Sequence, residues 1–550
     1  MHATFSQPRT ESLTRVSRVS FRLSEQSRWP LWGVAIAALV LVAIRAVIQS
    51  ITIDEADTYV YWVSGKFHKP WYPHSNNHLL NSYLIWIFVH LFGLNNVSMR
   101  LPSFIGALLY LSATYRFCIF FVDRLSLRLP LYICLVANPF VLDFFVAARG
   151  YGLALGFFIT AVVTMCQLLV IKPDSQRSLF SRFALVSGCL GLSFVANFSF
   201  SFVIAISFGL FLLIWAATYA RSIRTAATTG GLSFYMQAAF ALLSGPFVVM
   251  LLSGWTLLHW PRGQLVVGAT SLREMWHTFL VFTLSDLNPR ILPPRLLKTF
   301  RHWQKALPWL LIGLCGLQIT YIGLRRKRWR SQFSANRAVL VAAYLGGVVV
   351  LTVVVHWLAF QLTGLLMPKD RTSIFFLPLC LMIVGIVASF PHRDLVGAAL
   401  RWATVVILIV GSAYFVGCLR IHYFLQWRFN ADMEETYRNL VQIVGPGHQA
   451  EVPCNFTYTS SLNYYREYFH DDSFGWFWLF DNPRRAPNTH YKPYPVDQPV
   501  YVLTFPQDED FIAEHHLEVV YRGPVSDVVI AVKPGVYSLP QEPRHHTRSG

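Results

Sequence analysis

Long apolar runs recur along most of this 550-residue chain, and they constrain the fold more than any other feature. A run of roughly 18 or more apolar residues is long enough to cross the hydrocarbon layer as a helix. Only 13% of the residues are charged, about half the fraction in a soluble protein. The sequence therefore predicts a polytopic α-helical membrane protein. The apolar segments are 31–48, 79–94, 101–121, 129–146, 150–171, 183–198, 201–218, 235–254, 306–324, 338–360, 372–390 and 399–419.

The short connections between these segments predict their orientation. Arginine and lysine are concentrated in five connections, which the positive-inside rule places in the cytoplasm. All five fit only if one early segment does not cross, and 79–94 is the natural candidate because it is short and contains polar residues. We expect about 11 spans, in a range of about 11–13. The alternative is that 183–218 is one broken element, which would change the count. The basic connections are 123–128, 172–182, 221–224, 325–330 and 392–401.

The chain divides into three parts. Residues 1–29 are polar and basic, and they run straight into the first span, which predicts a cytoplasmic N-terminal segment. Residues 30–419 form the transmembrane domain, with outer loops at 49–100 and 255–305. Residues 420–550 have a soluble composition and predict a small α/β domain on the outer face. Its patterns are a helix over 433–444 and strands over 499–505 and 525–532.

Three carboxylates follow the first apolar run within four positions. They are Asp54, Glu55 and Asp57. Carboxylates close to a hydrocarbon layer are costly and are functional candidates by default. Asp54 and Asp57 have the i, i+3 spacing that puts both on one face of a helix. The alternative is that the three only mark the end of the span, and position alone does not separate the two interpretations.

Cations lie at the outer ends of later spans. Arg149 stands between two apolar helices, where it must find water, a carboxylate or a phosphate. Lys369 and Arg371 precede a late span on the outer side, against the topological bias, and a local anion would explain them. The alternatives are a structural ion pair of Arg149 with Asp143 or Asp54, and snorkelling to lipid headgroups.

The sequence gives no support for a metal site or for nucleic-acid binding. His68, His74 and His78 match no standard zinc spacing, and seven of the eight cysteines lie in apolar runs. The net charge of +18 comes without a basic and aromatic groove motif. We therefore attribute the charge to topology and lipid headgroups, and predict no cofactor, no metal and no nucleic-acid partner.

These residue types suit the transfer of a sugar from a lipid phosphate to an acceptor hydroxyl. The hydroxyl needs a general base, which a carboxylate supplies in inverting reactions. The leaving phosphate needs cations rather than an acid. A polyprenyl tail lies in the bilayer, so such a site lies at the membrane surface. The alternative is a transporter or lipid-handling protein without catalysis, which places its charges near mid-membrane.

Short motifs follow one another in a particular order over residues 51–152. An Asp-Glu pair follows a single span, then Gly93-Leu-Asn-Asn-Val-Ser-Met-Arg-Leu-Pro-Ser103, then Asn138-Pro-Phe to Ala148-Arg-Gly-Tyr151. This order resembles the C-type integral-membrane glycosyltransferases, above all the protein O-mannosyltransferase and lipid A aminoarabinose transferase branches. The resemblance implies a dolichyl- or undecaprenyl-phosphate-sugar donor and a lipid, glycan or protein acceptor. It also implies inverting transfer on the extracytoplasmic face of a multi-pass protein, in the plasma or inner membrane if the cell is bacterial.

The resemblance also assigns roles to residues. Asp54 corresponds to the base, with Glu55 beside it, and Arg149 and Tyr151 match an Arg-x-Tyr element. Arg371 matches a cation before a late span, although Thr372 stands where an aromatic residue is usual. His78 lies near the position at which some members carry a lysine for the lipid phosphate. The predicted catalytic residues are Asp54 and Glu55, and the predicted substrate-binding residues are Asp57, His78, Arg149, Tyr151, Lys369 and Arg371.

Overall fold

Ten helices in the described part of the chain are long and apolar enough to cross a membrane, and a bent pair makes eleven. This agrees with the predicted count. The computed structural model describes residues 28–537 except 172–174, 262, 266, 292, 294, 296–297, 299–303, 326–332, 391–393, 446–449 and 487–490. The helices of the membrane part are α1 Trp29–Ile48, α2 Ile53–Asp57, α3 Leu79–Phe92, α4 Asn96–Phe121, α5 Leu125–Val136, α6 Pro139–Val146, α7 Gly150–Val170, α8 Gln176–Ala196, α9 Ser201–Leu258, α10 Leu272–Thr283, α11 Leu307–Leu324, α12 Phe333–Thr363, α13 Phe376–Ala388 and α14 Leu395–Gly417.

Helix α3 corresponds to the early segment that was predicted not to cross. It has 14 residues, about 21 Å of helix, which is shorter than the hydrocarbon layer. The predicted cytoplasmic segment 1–29 lies outside the described residues except for its last two positions. Parts of three basic connections also lie outside them, at 172–174, 326–330 and 391–393. The orientation of the bundle in the membrane therefore stays a prediction.

The bent pair consists of α5 and α6, which meet at 51°. The bend falls before Pro139, which has no backbone N–H and cannot continue the preceding helix. Asn138 caps α6 by accepting from the Phe140 amide at 3.0 Å, and it donates to the Thr283 carbonyl of α10 at 3.1 Å. The Asn-Pro-Phe motif thus ends one helix, starts the next and joins it to the outer loop.

Helices α4 and α7 touch backbone to backbone at the centre of the bundle. A side chain at Gly106 would lie 2.4 Å from the Gly152 carbonyl, and one at Gly156 would lie 2.4 Å from the Gly106 carbonyl. Only glycine permits this approach. Helix α7 is buried along most of its length, and its first turn carries Arg149 and Tyr151 to the centre of one end of the bundle.

The segment 183–218 is two elements rather than one broken helix. Helix α8 ends at Ala196, and the Asn197 side chain accepts from the Ser199 amide at 3.0 Å to start a single 3₁₀ turn over Phe198–Phe200. Helix α9 follows and is itself bent, with non-helical backbone at Tyr219 and Gly231. It therefore contains two candidate spans, Phe198–Ala220 and Gly231–Leu258.

The C-terminal part forms the predicted small α/β domain. Its sheet has the order β3-β2-β1-β4-β6-β5, with the first four strands parallel and the last two antiparallel to their neighbours. The predicted helix and both predicted strands lie where the sequence patterns placed them. The elements are α15 Met433–Val444, β1 Cys454–Asn455, α16 Phe456–Tyr468, β2 Leu479–Asp481, β3 Lys492–Pro493, β4 Val500–Thr504, α17 Glu509–Glu514, β5 Glu518–Arg522 and β6 Val528–Val532.

This domain is packed onto the chain that follows α1. The Tyr465 hydroxyl accepts from the Ile51 amide at 2.9 Å, and Asn430 accepts from the Ile53 amide at 2.9 Å. One apolar core includes Ile51 and Tyr59 from the membrane part together with residues of α15 and α16. The predicted outer segments therefore meet at the same end of the bundle.

Candidate active site

The carboxylates lie on a short helix whose start is fixed by its own sequence. Thr52 caps α2 by accepting from the Glu55 amide at 3.3 Å, and Glu55 accepts from the Thr52 amide at 2.9 Å. This reciprocal pair is a capping box. Asp54 and Asp57 lie on the side of α2 that Glu55 does not face, and both remain partly exposed.

Glu55 does not take part in the site as a free carboxylate, contrary to the prediction of a catalytic role. It is fully buried, and Arg100 binds it with two hydrogen bonds of 2.9 Å each. The Ala148 amide donates to the same carboxylate at 2.7 Å. Together with the hydrogen bond from the Thr52 amide, these bonds occupy all the strong acceptor positions of the Glu55 carboxylate. Glu55 therefore holds the residues next to Asp54 and Arg149 in place.

Asp54 receives partners from three distant parts of the chain. Arg371 forms an ion pair with its carboxylate, Trp427 donates its indole N–H to the same group, and Arg149 donates to its backbone carbonyl at 3.2 Å. Burial raises the pKa of Asp54, but the charges of Arg149 and Arg371 outweigh it, so the pKa lies below the ordinary value. Asp54 is thus ionised at neutral pH.

Arg149 is buried next to Asp54 and binds protein groups around it. Its side chain is 1% exposed and also donates to the Thr58 hydroxyl at 3.4 Å and to the Asn76 side chain. The predicted alternative of an Arg149–Asp143 pair is wrong, because Asp143 pairs with Arg45 at 2.5 Å. Arg149 therefore adds positive potential and fixes the backbone of α2.

Arg371 lies at the centre of the arrangement. It belongs to a 3₁₀ turn over Asp370–Ser373, and Asp370 before it adopts φ +50°, a conformation that is uncommon for residues other than glycine. The guanidinium lies 5.9 Å from the ring centres of both Tyr151 and Trp427. The aromatic partner that the following position lacks is thus provided by α7 and by the C-terminal segment.

Lys369 is directed elsewhere, contrary to the prediction that it binds substrate with Arg371. Its ammonium pairs with Glu274 of α10 at 2.8 Å. The hydrogen bond from Lys369 lowers the pKa of Glu274 to about 2. The Lys369 charge is therefore neutralised within the outer loop, where the pair joins α10 to the turn that carries Arg371.

Asp57 faces the C-terminal domain. The Ser460 hydroxyl of α16 donates to it at 2.6 Å. Burial, assisted by the nearby Asp54 charge, raises the pKa of Asp57 to about 6. Burial, and after it the charge of Asp57, raises the pKa of Tyr61 and Tyr491, so one ring from each domain lies near Asp57.

A cavity of about 590 Å³ opens beside Arg371. Polar lining residues group around Tyr151: the His78 ring lies 5.1 Å from the Tyr151 ring, and the Arg371 guanidinium lies 5.9 Å from it. Helices α8 and α9 contribute apolar lining residues, and α12 contributes His356. The polar lining includes Asn76, His78, Tyr151, Asn197, Arg371 and Thr372; the apolar lining includes Phe194, Phe198, Phe202, Leu257, Trp260 and Leu365.

Burial and the charges of Arg149 and Arg371 lower the pKa of His78 well below its ordinary value. The ring is therefore neutral and does not provide the cation that the resemblance suggested. Of the predicted cations, Arg371 lines the cavity, while Arg149 and Lys369 bind protein groups behind and beside it.

Several residues of the site were not predicted from the sequence. Trp427 and Ser460 come from the C-terminal part, and Arg100 and Asn76 come from the first outer loop. Arg100 stands in the Gly93–Ser103 motif, so that signal was present. Trp427 gives no local signal, because only the folded chain brings it to Asp54. Within the described residues, no group of three or more His, Cys, Asp or Glu side chains is placed to hold a metal ion.

A scan against family models and a search of curated proteins gave no match. A search of solved structures gave ArnT from Cupriavidus metallidurans in the apo state, at TM-score 0.51 and 12% identity, covering 92% of this chain and 98% of that one. The chain has the GT-C fold, which is the fold of the C-type integral-membrane glycosyltransferases. This confirms the predicted fold class, a helical membrane domain followed by a small α/β domain. At this identity the likeness concerns the fold.

Two further GT-C structures were found at lower scores. ArnT bound to undecaprenyl phosphate has TM-score 0.48 and 11% identity, covering 92% of this chain and 98% of that one. The archaeal oligosaccharyltransferase AglB from Archaeoglobus fulgidus, in complex with an inhibitory peptide and a dolichol-phosphate, has TM-score 0.40 and 10% identity. It covers 94% of this chain and 75% of that one.

Proposed function

We propose that this GT-C protein is a membrane glycosyltransferase that moves a sugar from a polyprenyl-phosphate donor to an acceptor hydroxyl on the extracytoplasmic face. One observation carries the proposal. The Arg371 guanidinium contacts the Asp54 carboxylate, and Arg371 also lines a cavity whose walls combine polar and apolar side chains. A lipid phosphate likewise combines an anionic head with an apolar tail.

The donor phosphate would bind Arg371 on the cavity wall. A guanidinium fork matches phosphate as well as it matches carboxylate. The prenyl tail would lie along the apolar residues that α8 and α9 contribute to the wall. As the bond from the sugar to the phosphate oxygen breaks, the electron pair stays on that oxygen, and Arg371 stabilises the growing charge.

Asp54 would act as the general base. It accepts the proton of the acceptor hydroxyl while the hydroxyl oxygen bonds to the anomeric carbon, opposite the departing phosphate. This single displacement inverts the anomeric configuration. The bound Glu55 cannot replace Asp54, and Asp57, on the same helix face, would orient the acceptor.

The transporter alternative expects charges near mid-membrane. Here Asp54 and Arg149 lie outside the candidate spans, and Arg371 lies at the very start of one. A transporter would move a sugar lipid across the bilayer without forming a new glycosidic bond, so the product of the reaction separates the two hypotheses.

The test is transfer by the purified full chain. It is incubated in lipid vesicles with radiolabelled polyprenyl-phosphate sugars and a membrane extract, and the labelled fraction is isolated. Asp54→Asn should abolish transfer while leaving the melting temperature and lipid binding in place. Asp497→Asn is the matched control, because that carboxylate is 93% exposed. Full transfer by Asp54→Asn would remove the assignment of the base.

A further inference from the structure

Three polar side chains that the proposed chemistry leaves unused meet at one corner of the cavity. His78, Asn197 and Ser199 all line it. Within the described residues, one buried atom of each has no hydrogen-bond partner: His78 Nε2, Asn197 Nδ2 and Ser199 Oγ. Folded proteins leave few buried polar atoms unpaired. Three at one corner indicate an occupant that supplies the missing partners.

Close packing holds this corner together. His78 bonds the backbone of Ala196, the residue before Asn197. A side chain at Gly150 would lie 1.9 Å from the Ala196 carbonyl oxygen and 2.8 Å from the His78 Cβ. The start of α3, the start of α7 and the turn after α8 therefore touch directly. The Phe198 ring packs against Trp260 at 5.2 Å and closes the outer side.

The hydrogen bonds already made decide what each unpaired atom offers. His78 Nε2 has no partner, so the bond to the Ala196 backbone is assigned to Nδ1, and a bond to a carbonyl places the proton on Nδ1. In the neutral ring, Nε2 is then an acceptor. Asn197 Oδ1 already accepts from the Ser199 amide, so the unpaired Nδ2 is a donor. Ser199 Oγ donates or accepts.

The hydrogen-bonding character of these three atoms does not suit a phosphate. Phosphate oxygens only accept, and a lone pair on His78 Nε2 would repel them. Sugar hydroxyls donate and accept at once, and two neighbouring hydroxyls match an acceptor beside a donor. The charged side chains that act on His78 are Arg149 and Arg371, and both are cations. An ammonium group on a sugar bound beside His78 would therefore meet repulsion.

We propose that the corner formed by His78, Asn197 and Ser199 binds hydroxyl groups of the donor sugar and selects a neutral sugar over an amino sugar. The inference rests on the proposed function and makes it more specific. It also replaces the predicted role of His78: the residue binds sugar rather than phosphate. The corner stands beside Arg371, where the sugar of a phosphate-bound donor would lie.

The experiment compares the affinities of three kinds of lipid for the full chain in nanodiscs. They are undecaprenyl phosphate alone, a panel of its glucosyl, mannosyl and galactosyl forms, and a form with a 4-amino-4-deoxy sugar. We expect wild type to bind at least one neutral form about tenfold more tightly than the sugar-free lipid, and more tightly than the amino form. Each variant that removes one contact should lower that preference roughly fivefold to tenfold.

Three variants each remove one of the unpaired polar groups and keep the neighbouring hydrogen bonds. Ser199→Ala removes an unpaired hydroxyl, so its melting temperature should not change. Asn197→Asp keeps the Oδ1 acceptor and removes the donor, and His78→Asn keeps a donor towards Ala196 and removes Nε2. The matched control is Gln264→Glu, which adds the same charge to the same wall and keeps the oxygen that accepts from the Ser75 amide at 2.8 Å. Its preference for the neutral sugar should equal that of wild type.

Each outcome decides one point. Equal losses for sugar-bearing and sugar-free lipids would assign the corner to the phosphate. An unchanged preference in all three variants would show that only water occupies it, and tighter binding of the amino form would overturn the selectivity. A wild type that binds every lipid equally removes the inference alone, whereas one that binds none removes the proposed function as well.

Discussion

Arg371 is placed to contact two anions, the Asp54 carboxylate and the phosphate of the proposed donor. In the structure its guanidinium pairs with Asp54, while its position on the cavity wall also suits a phosphate. The pairing helps to keep the pKa of Asp54 low, so the paired carboxylate is a weak base. Under the proposed function, Arg371 would turn towards the donor phosphate, the pKa of Asp54 would rise, and Asp54 would become a stronger base as the donor arrives.

Trp427→Phe tests how the pKa of Asp54 is set. The variant keeps a ring beside Arg371 and removes the N–H that Trp427 donates to Asp54. Losing this donor should raise the pKa of Asp54, so the acid side of the pH–rate profile moves to higher pH while the rate at neutral pH falls little. The measurement is transfer rate between pH 4 and pH 8.

Trp402→Phe is the matched control for that variant, because Trp402 lies on α14 and is 52% exposed. Its pH–rate profile should match that of wild type. A Trp427→Phe protein with a lower melting temperature and an unmoved acid limb would assign Trp427 to packing alone.

Asp57→Asn should stabilise the protein at neutral pH. The pKa of Asp57 is about 6 in the folded chain against an ordinary 3.8, so the folded state binds more protons between these values. Stability therefore falls as the pH rises through that window, by at most about 3 kcal/mol. The variant should melt at a higher temperature than wild type at pH 7.5, and by a smaller margin at pH 4.5, because the loss of stability starts near pH 3.8 and is complete above pH 6. Equal melting temperatures at both pH values would contradict the raised pKa.

The predicted catalytic role of Glu55 rested on its position next to Asp54 in the sequence. Glu55 directly follows the base and looks like its partner, but successive residues on a helix point about 100° apart. That rotation turns Glu55 to Arg100, whereas Asp54 and Asp57 share the open side. The ion pair with Arg371 spans 317 positions, and no local pattern predicts such a distance.

At the level of elements, the contact between α4 and α7 sets where the site lies. A Cβ at Gly152 would be 2.3 Å from the Phe144 carbonyl. Gly152→Ala should therefore push α7 away from α6, lower stability by about 1–3 kcal/mol and move Tyr151 away from Arg371. The melting temperature in detergent and the transfer rate should both fall.

Gly188→Ala is the control for this packing. Gly188 lies on α8, and a Cβ there meets no atom within 4 Å. The substitution should leave stability unchanged or raise it by up to about 1 kcal/mol, since alanine favours a helix. A similar loss in both variants would show that the close packing of Gly152 against α6 is not special.

The helices could be predicted from sequence because each needs only its own apolar run. The eleven spans and the short α3 follow from length and composition. Lys369 shows the limit: its partner Glu274 lies 95 positions earlier in a polar loop. Whether a cation faces a substrate or a carboxylate depends on how two separate elements pack, which the sequence does not state.

At the level of the whole molecule, the C-terminal domain helps to hold the base in place. The Tyr465 hydroxyl accepts from the Ile51 amide, three residues before Asp54. Tyr465→Phe should leave that buried N–H unpaired, which costs about 1–3 kcal/mol, and the transfer rate should fall with the melting temperature. Tyr468→Phe on the same helix is the control. Equal behaviour of the two variants would mean that the domain contact does not support the site.

The shared guanidinium also has a kinetic consequence. An Asp54 held by Arg371 is a weak base, so an acceptor that arrives before the donor would not be activated. Under the proposed function the lipid would enter first and draw Arg371 away, and an incoming alcohol would then meet a competent base. Initial-rate plots with both substrates varied should therefore follow a compulsory order, with the acceptor as the second substrate.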